Sequence, residues 1–145
     1  MRKYVISLLI IISIFMITGC NSKKEEISNS NEVVESVKAI INNNEYIINL
    51  EDNETARKFV NLLPQEFKMN ELNGNEKYVY LDTSFSTNPS NPKIINKGDI
   101  MLYGDNCLVI FYKTFNTSYS YTKIGHIDNL PDLGNDNIII RFENK

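Results

Sequence analysis

Two strand-length apolar runs joined by one tight turn constrain this chain more than any other stretch in it. The first is Gly98-Asp99-Ile100-Met101-Leu102-Tyr103, the turn is Gly104-Asp105-Asn106, and the second is Cys107-Leu108-Val109-Ile110-Phe111-Tyr112. Neither run alternates with polar residues, so a hairpin built from them has to be covered on both faces. The wall of a filled barrel meets that requirement, whereas a sheet with one solvated face does not. A hydroxyl-rich segment follows and leads into a further strand pattern ending at Ile127. No constellation of residues in this region names a reaction.

The start of the chain carries a different message. Arg2 and Lys3 precede an apolar run from Tyr4 to Ile17, broken only by Ser7 and Ser13. That run is shorter than the roughly 20 residues a helix needs to span a membrane, and it reads as the core of an export signal. It ends in Ile17-Thr18-Gly19-Cys20, which resembles the lipobox of bacterial lipoproteins, with isoleucine where leucine is commonest. The resemblance implies cleavage before Cys20, a diacylglycerol on its thiol, and palmitate-type acylation of the new terminus. Residues 1–19 are then the signal peptide, and the protein stays on the extracytoplasmic face of the cell membrane. More than one acyl chain gives stable anchoring where a single chain does not.

Apart from Cys20 itself, residues 20–32 are Asn, Ser, Lys and Glu with Ile27 as the one aliphatic side chain, too polar to bury a core. A dozen such residues form a tether with a reach of roughly 20 Å. The remaining residues, 33–145, have room for one domain. Loss of Arg2 and Lys3 moves the formal charge from −3 to −5, and an acidic domain offers no footprint for nucleic acid. With Cys20 lipidated, Cys107 is alone, so no disulfide framework exists. Its setting in an apolar run marks it as a buried small hydrophobe rather than a reactive thiol.

Within the domain, Val33 to Ile41 and Tyr46 to Leu50 read as strands joined by the turn Asn42-Asn43-Asn44. Asp52 and Asn53 can cap a short amphipathic helix carrying Ala56, Phe59, Val60 and Leu63, closed by Pro64. Phe67 to Leu72 follows as a strand, and Asn73-Gly74-Asn75 is a turn. Lys77 to Leu81 then alternates, with Tyr78 and Tyr80 on one face and Val79 and Leu81 on the other. Thr83 to Pro92 is an irregular loop that either caps the barrel or lines a groove. Lys93 to Ile95 is a short strand. Thr117 to Thr122 sets Tyr119 and Tyr121 on one side if extended, Lys123 to Ile127 continues as a strand, and Asn137 to Phe142 is the last.

Eight or nine short strands with one helix describe a mainly β chain, a small closed barrel. The segments Glu71 to Tyr78, Gly98 to Gly104, and Phe111-Tyr112 with Thr117 to Thr122 resemble the bacterial cyclophilin-like fold proteins, a likeness running from about Val33 to Glu143. It implies an eight-stranded cyclophilin-like barrel with one short helix. It implies no single activity. Relatives joined to flavodoxin-like domains exist, but this chain carries no phosphate-cradling loop, and no cofactor is expected.

A cyclophilin lowers the prolyl barrier with an arginine beside an aromatic-lined pocket. The arginine is expected on the strand after the helix, where this region of the chain offers Lys68 and Lys77 instead, and lysine lacks the planar fork of arginine. Arg57 falls in the helix, Arg141 on the last strand, and tryptophan is absent. No catalytic residue is therefore assigned. His126 is the one histidine and lacks a partnering nucleophile motif, while Asp128, Asp132 and Asp136 lack a Ca²⁺-loop pattern, so no metal is expected. What remains is a candidate groove of Asn73, Glu76, Tyr78, Tyr103, Tyr119 and Tyr121. Tyrosine combines apolar area with a hydroxyl, suited to a peptide, an envelope protein or a small ligand. The expected function is binding without catalysis, with a divergent prolyl isomerase in envelope protein folding as the alternative.

Overall fold

The computed structural model describes residues 34–145. The expected signal peptide, Cys20 and the tether lie outside them. In chain order the elements are β1 (Ser36–Ile41), β2 (Asn44–Leu50), α1 (Glu54–Val60), β3 (Gln65–Leu72), β4 (Glu76–Tyr80), β5 (Ile94–Ile95), β6 (Asp99–Tyr103), β7 (Cys107–Phe111), β8 (Phe115–Asn116), β9 (Thr122–Ile127) and β10 (Ile138–Asn144). Eight strands close into an antiparallel barrel in the order β1-β10-β3-β4-β7-β6-β9-β2, and β5 pairs with β8 beside it. The chain is thus mainly β, with an eight-stranded barrel and one short helix among the described residues, as the strand pattern predicts.

Local chemistry explains the joints. Ile41 pairs with Asn44, leaving Asn42 and Asn43 as a two-residue loop at φ 49° and 63°, left-handed angles that asparagine tolerates in hairpins. The Asn53 side chain accepts from the Ala56 amide at 2.8 Å and donates to the Lys123 carbonyl at 2.8 Å, so one residue caps α1 and ties it to β9. Phe59 of α1 meets Phe142 of β10 edge to face, with centroids 5.3 Å apart.

Several boundaries differ from the sequence pattern. The first strand begins at Ser36 rather than Val33; Val34 is exposed. The helix ends at Val60, short of Leu63, because the Leu62 and Leu63 amides turn to the Phe59 and Val60 carbonyls three residues back. That tightening precedes Pro64, which disfavours helical geometry at Leu63. Residues 117–121 are not a strand; β9 starts at Thr122. The loop 83–92 covers the barrel beside α1: Phe85 is buried, and Thr55 Oγ1 donates to the Ser86 carbonyl at 2.7 Å.

The β6–β7 hairpin is buried on both faces, as its composition demands. Ile100, Leu102, Leu108 and Ile110 point into the barrel with Val37, Ile48 and Phe142. Met101, Cys107, Val109 and Phe111 point outward into a second apolar cluster with Ile95 and Tyr121. Gly98 introduces the hairpin at φ 99°, and a Cβ there would lie 2.2 Å from the Ile127 carbonyl oxygen, so only glycine fits between β7 and β9.

A wall between two cores makes a specific prediction. Ile100→Ala, facing inward, and Met101→Ala, facing outward, should each lower unfolding free energy by about 2–5 kcal/mol. Denaturant melts in which Met101→Ala is neutral would show that the outer cluster is no core.

Candidate functional site

On the outer face of the barrel, strand register brings distant residues into rows. Tyr80 and Tyr103 both pair with Cys107, Tyr78 and Met101 both pair with Val109, and Glu76 pairs with Phe111. Paired residues point to the same face, so β4, β7 and β6 together present a strip that is apolar at its centre and tyrosine-edged. Residues 117–121 lie across one side of this strip. They are held there by Tyr121 and Ser90, which exchange backbone bonds at 2.9 and 3.0 Å, and by Asn91, which donates to the Ser118 carbonyl at 2.9 Å.

The result is a cavity of about 310 Å³ lined by Leu72, Asn73, Glu76, Tyr78, Tyr80, Tyr103, Cys107, Val109, Tyr119 and Tyr121. All six groove residues expected from the sequence meet here. Leu72, Tyr80, Cys107 and Val109 were not among them. Tyr80 shares the period-two face of Tyr78 and was legible on that ground. Cys107 and Val109 needed the pairing register, which the sequence does not state.

The rings stand as walls rather than stacking. Tyr78 meets Tyr80 at 80°, Tyr103 meets Tyr119 at 86°, and Tyr103 meets Tyr121 at 52°, with centroids 5.6–6.0 Å apart. Tyr121 also meets Phe111 edge to face at 5.4 Å. Tyr121 is almost fully buried, while Tyr80, Tyr103 and Tyr119 are exposed at the rim. The cavity is therefore anchored at one side and open at the other.

Two neighbouring glutamates have opposite fates. Glu71 receives Lys77 Nζ at 2.5 Å, the Tyr112 hydroxyl at 2.8 Å and the Gly74 amide at 2.6 Å. Burial pushes its carboxyl up, but these bonds and the lysine charge outweigh it and hold the group below the usual range. Glu76 lies in the cavity and forms no ion pair among the described residues. Burial first, and the Glu71 charge second, raise its carboxyl above the ordinary glutamate value.

Lys77 does not serve the groove. It points inward from β4, fully buried, and gives its remaining protons to the Gly134 and Asp136 carbonyls at 2.6 and 2.8 Å. Its neighbour in the arginine comparison, Lys68, is exposed on β3. Arg57 pairs with Asp52, and Arg141 sits on β10 against Glu143; neither lines the cavity. Cys107 is buried, and burial first with the Glu76 charge second pushes its thiol up to about 11, so it stays protonated at neutral pH.

His126 lies elsewhere, at the β6–β9 pairing. Its Nδ1 is 3.0 Å from Asp99, whose other oxygen accepts from the Asn96 amide at 2.8 Å. Asp132 pairs with Lys113, and Asp128 accepts from Asn49 at 3.0 Å. Among the described residues no group of three or more His, Cys, Asp or Glu is arranged to hold a metal.

Comparison with known proteins agrees with this architecture. The model of the Cyclophilin-like family matches residues 39–143. The solution structure of a hypothetical protein from Archaeoglobus fulgidus is similar, with a TM-score of 0.51 at 18% identity, covering 77% of this chain and 96% of that one. Such identity shows the fold alone. Among curated proteins, none matches.

The Glu76 environment can be tested through stability. With its native carboxyl raised above the unfolded value, the folded state holds this proton more tightly, so its contribution to stability falls as pH rises through that window. Glu76→Gln should therefore melt higher than the parent at pH 8, and the gap should close near pH 4, where the parent is protonated. A gap that does not depend on pH would contradict the assignment.

Proposed function

The chain belongs to the Cyclophilin-like family, and on that basis we propose that it is a non-catalytic binding module whose ligand occupies the tyrosine-lined cavity. The observation that carries this reading is convergence. Residues from the 72–76 turn, β4, β6, β7 and the 117–121 segment form one concavity with a half-buried carboxylate and an apolar floor. Concave, mostly apolar sites with a few convergent polar groups are where small ligands and peptide side chains bind.

The reading includes a bacterial lipoprotein. Its signal peptide is cleaved before Cys20, lipid on Cys20 anchors it, and residues 20–32 hold the barrel clear of the extracytoplasmic face of the cell membrane. Among the described residues no helix is long and apolar enough to cross a membrane; in this reading the lipid on Cys20 supplies the attachment.

Prolyl isomerisation is the alternative reading. It would need polarisation of the prolyl amide, and neither Arg57 nor Arg141 lines the cavity. The family fold carries no activity by itself.

Two experiments test these points. In cells labelled with palmitate, the parent should carry label and remain with membranes, while Cys20→Ser should lose both; retention of label by Cys20→Ser would overturn the anchor. Titration of the full-length protein in micelles with Xaa-Pro peptides, followed by NMR, should shift cavity signals such as Tyr78 and Tyr119 without accelerating cis–trans exchange. Faster exchange would instead establish an isomerase. If neither these peptides nor a small-fragment set shifts cavity signals, the binding reading fails.

A further inference from the structure

We infer that the group this cavity takes is an organic ammonium ion, seated against Glu76 and lined by the rings of Tyr78, Tyr103, Tyr119 and Tyr121. The inference rests on the cavity being a ligand site and specifies its chemistry. Three independent features support it: the charge in the cavity, the arrangement of its rings, and the composition of its floor.

The charge comes first. Glu76 is the one ionisable carboxyl among the lining residues, and no lysine or arginine lines the cavity with it. Lys77, the next residue along β4, is on the other face of the strand and committed to Glu71. Glu76 thus brings an uncompensated negative charge to a partly desolvated place. A neutral ligand without a hydrogen-bond donor would remove more water from that carboxylate and return nothing, and a neutral donor would leave its charge uncompensated. An anionic ligand would meet it directly. A cation answers it.

The rings select the kind of cation. Tyr78 meets Tyr80 at 80°, Tyr103 meets Tyr119 at 86° and Tyr103 meets Tyr121 at 52°, so the lining rings do not form one flat stack. An aromatic face attracts a cation through the ring quadrupole, and several faces around one point are how alkylated ammonium groups are held. A small inorganic cation is poorly suited. Mg²⁺ and Ca²⁺ are held by six or more oxygen ligands, and this site offers one carboxylate. An alkylammonium spreads its charge over carbon and needs no such shell.

The floor fits the same ligand. Val109 and the protonated Cys107 lie between the tyrosines, so the carbon attached to nitrogen has apolar surface to rest on. The chain's acidic balance, 18 Asp and Glu against 15 Lys and Arg, favours approach of cations from a distance.

The chain has no tryptophan and eight tyrosines, five of which line the cavity. Intrinsic fluorescence therefore reports on the site without a label. The full-length protein would be titrated with choline and with 3,3-dimethyl-1-butanol, which has the same shape without the charge. Choline should quench or enhance tyrosine emission saturably and bind at least about ten-fold tighter than the alcohol. Glu76→Gln should erase about ten-fold of choline affinity and leave the alcohol unchanged. Tyr119→Leu should weaken choline several-fold, whereas Tyr119→Phe, which keeps the ring face, should not.

Equal affinity for choline and the alcohol would overturn the ammonium assignment while leaving the cavity a ligand site. The assignment falls in the same way if choline fails to bind while Xaa-Pro peptides or neutral fragments still shift the cavity signals. Failure of every compound to perturb the tyrosines would overturn both the assignment and the binding reading beneath it.

Discussion

A hairpin that is apolar on both faces has to be buried twice, and the structure follows from how β6 and β7 meet that demand. Their inner side chains fill a barrel, which covers one face of a curved antiparallel sheet without leaving edges. Their outer side chains cannot share that core. They require a second layer, supplied by Ile95 of β5, by Phe115 of β8 and by Tyr121. Gly98 makes the arrangement possible by letting the chain enter the hairpin where a Cβ would strike the Ile127 carbonyl. The outer layer is incomplete towards β4, and tyrosines stand there in place of aliphatic cover. The cavity is that incompleteness.

The two glutamates that flank the 73–75 turn show how differently the fold treats charge. Glu71 is part of a closed arrangement in which Lys77 Nζ reaches three oxygen acceptors, and the Tyr112 hydroxyl and the Gly74 amide also donate to the carboxylate. A buried ion pair is tolerable only when its remaining hydrogen-bonding capacity is met, and here it is. The pair joins β3 and β4 to the loop at 134–136, so its work is structural. Glu76, five residues on, has no such partner and faces the tyrosines. The fold thus neutralises one carboxylate fully and leaves the other open to the cavity.

Much of this was legible in the sequence, and for identifiable reasons. Asn42-Asn43 and Asn73-Gly74 announce turns because few residues accept positive φ, and the structure has both pairs there. Alternation placed Tyr78 and Tyr80 opposite Val79, and doubly apolar runs required cover on two faces. Asn73, Glu76, Tyr78, Tyr103, Tyr119 and Tyr121 were grouped once a closed barrel was assumed, and they line one cavity. Other features depend on contacts that no local pattern encodes. Cys107 and Val109 enter the site through cross-strand register. Residues 117–121 look strand-like, yet only Tyr121 finds a bridge partner, at Ser90. Lys77 is fully enclosed although lysines are rarely buried, because two of its three acceptors come from residues 57 and 59 positions later in the chain.

In the proposed cation site Glu76 stands ionisable and uncompensated inside an aromatic cavity. The most direct measurement is the titration of its side-chain carboxyl carbon by NMR, in the free full-length protein and again with saturating choline. The account predicts a midpoint above the usual glutamate value in the free protein, which falls when choline is bound because the cation favours the ionised form. A midpoint at the ordinary value that choline does not move would contradict it.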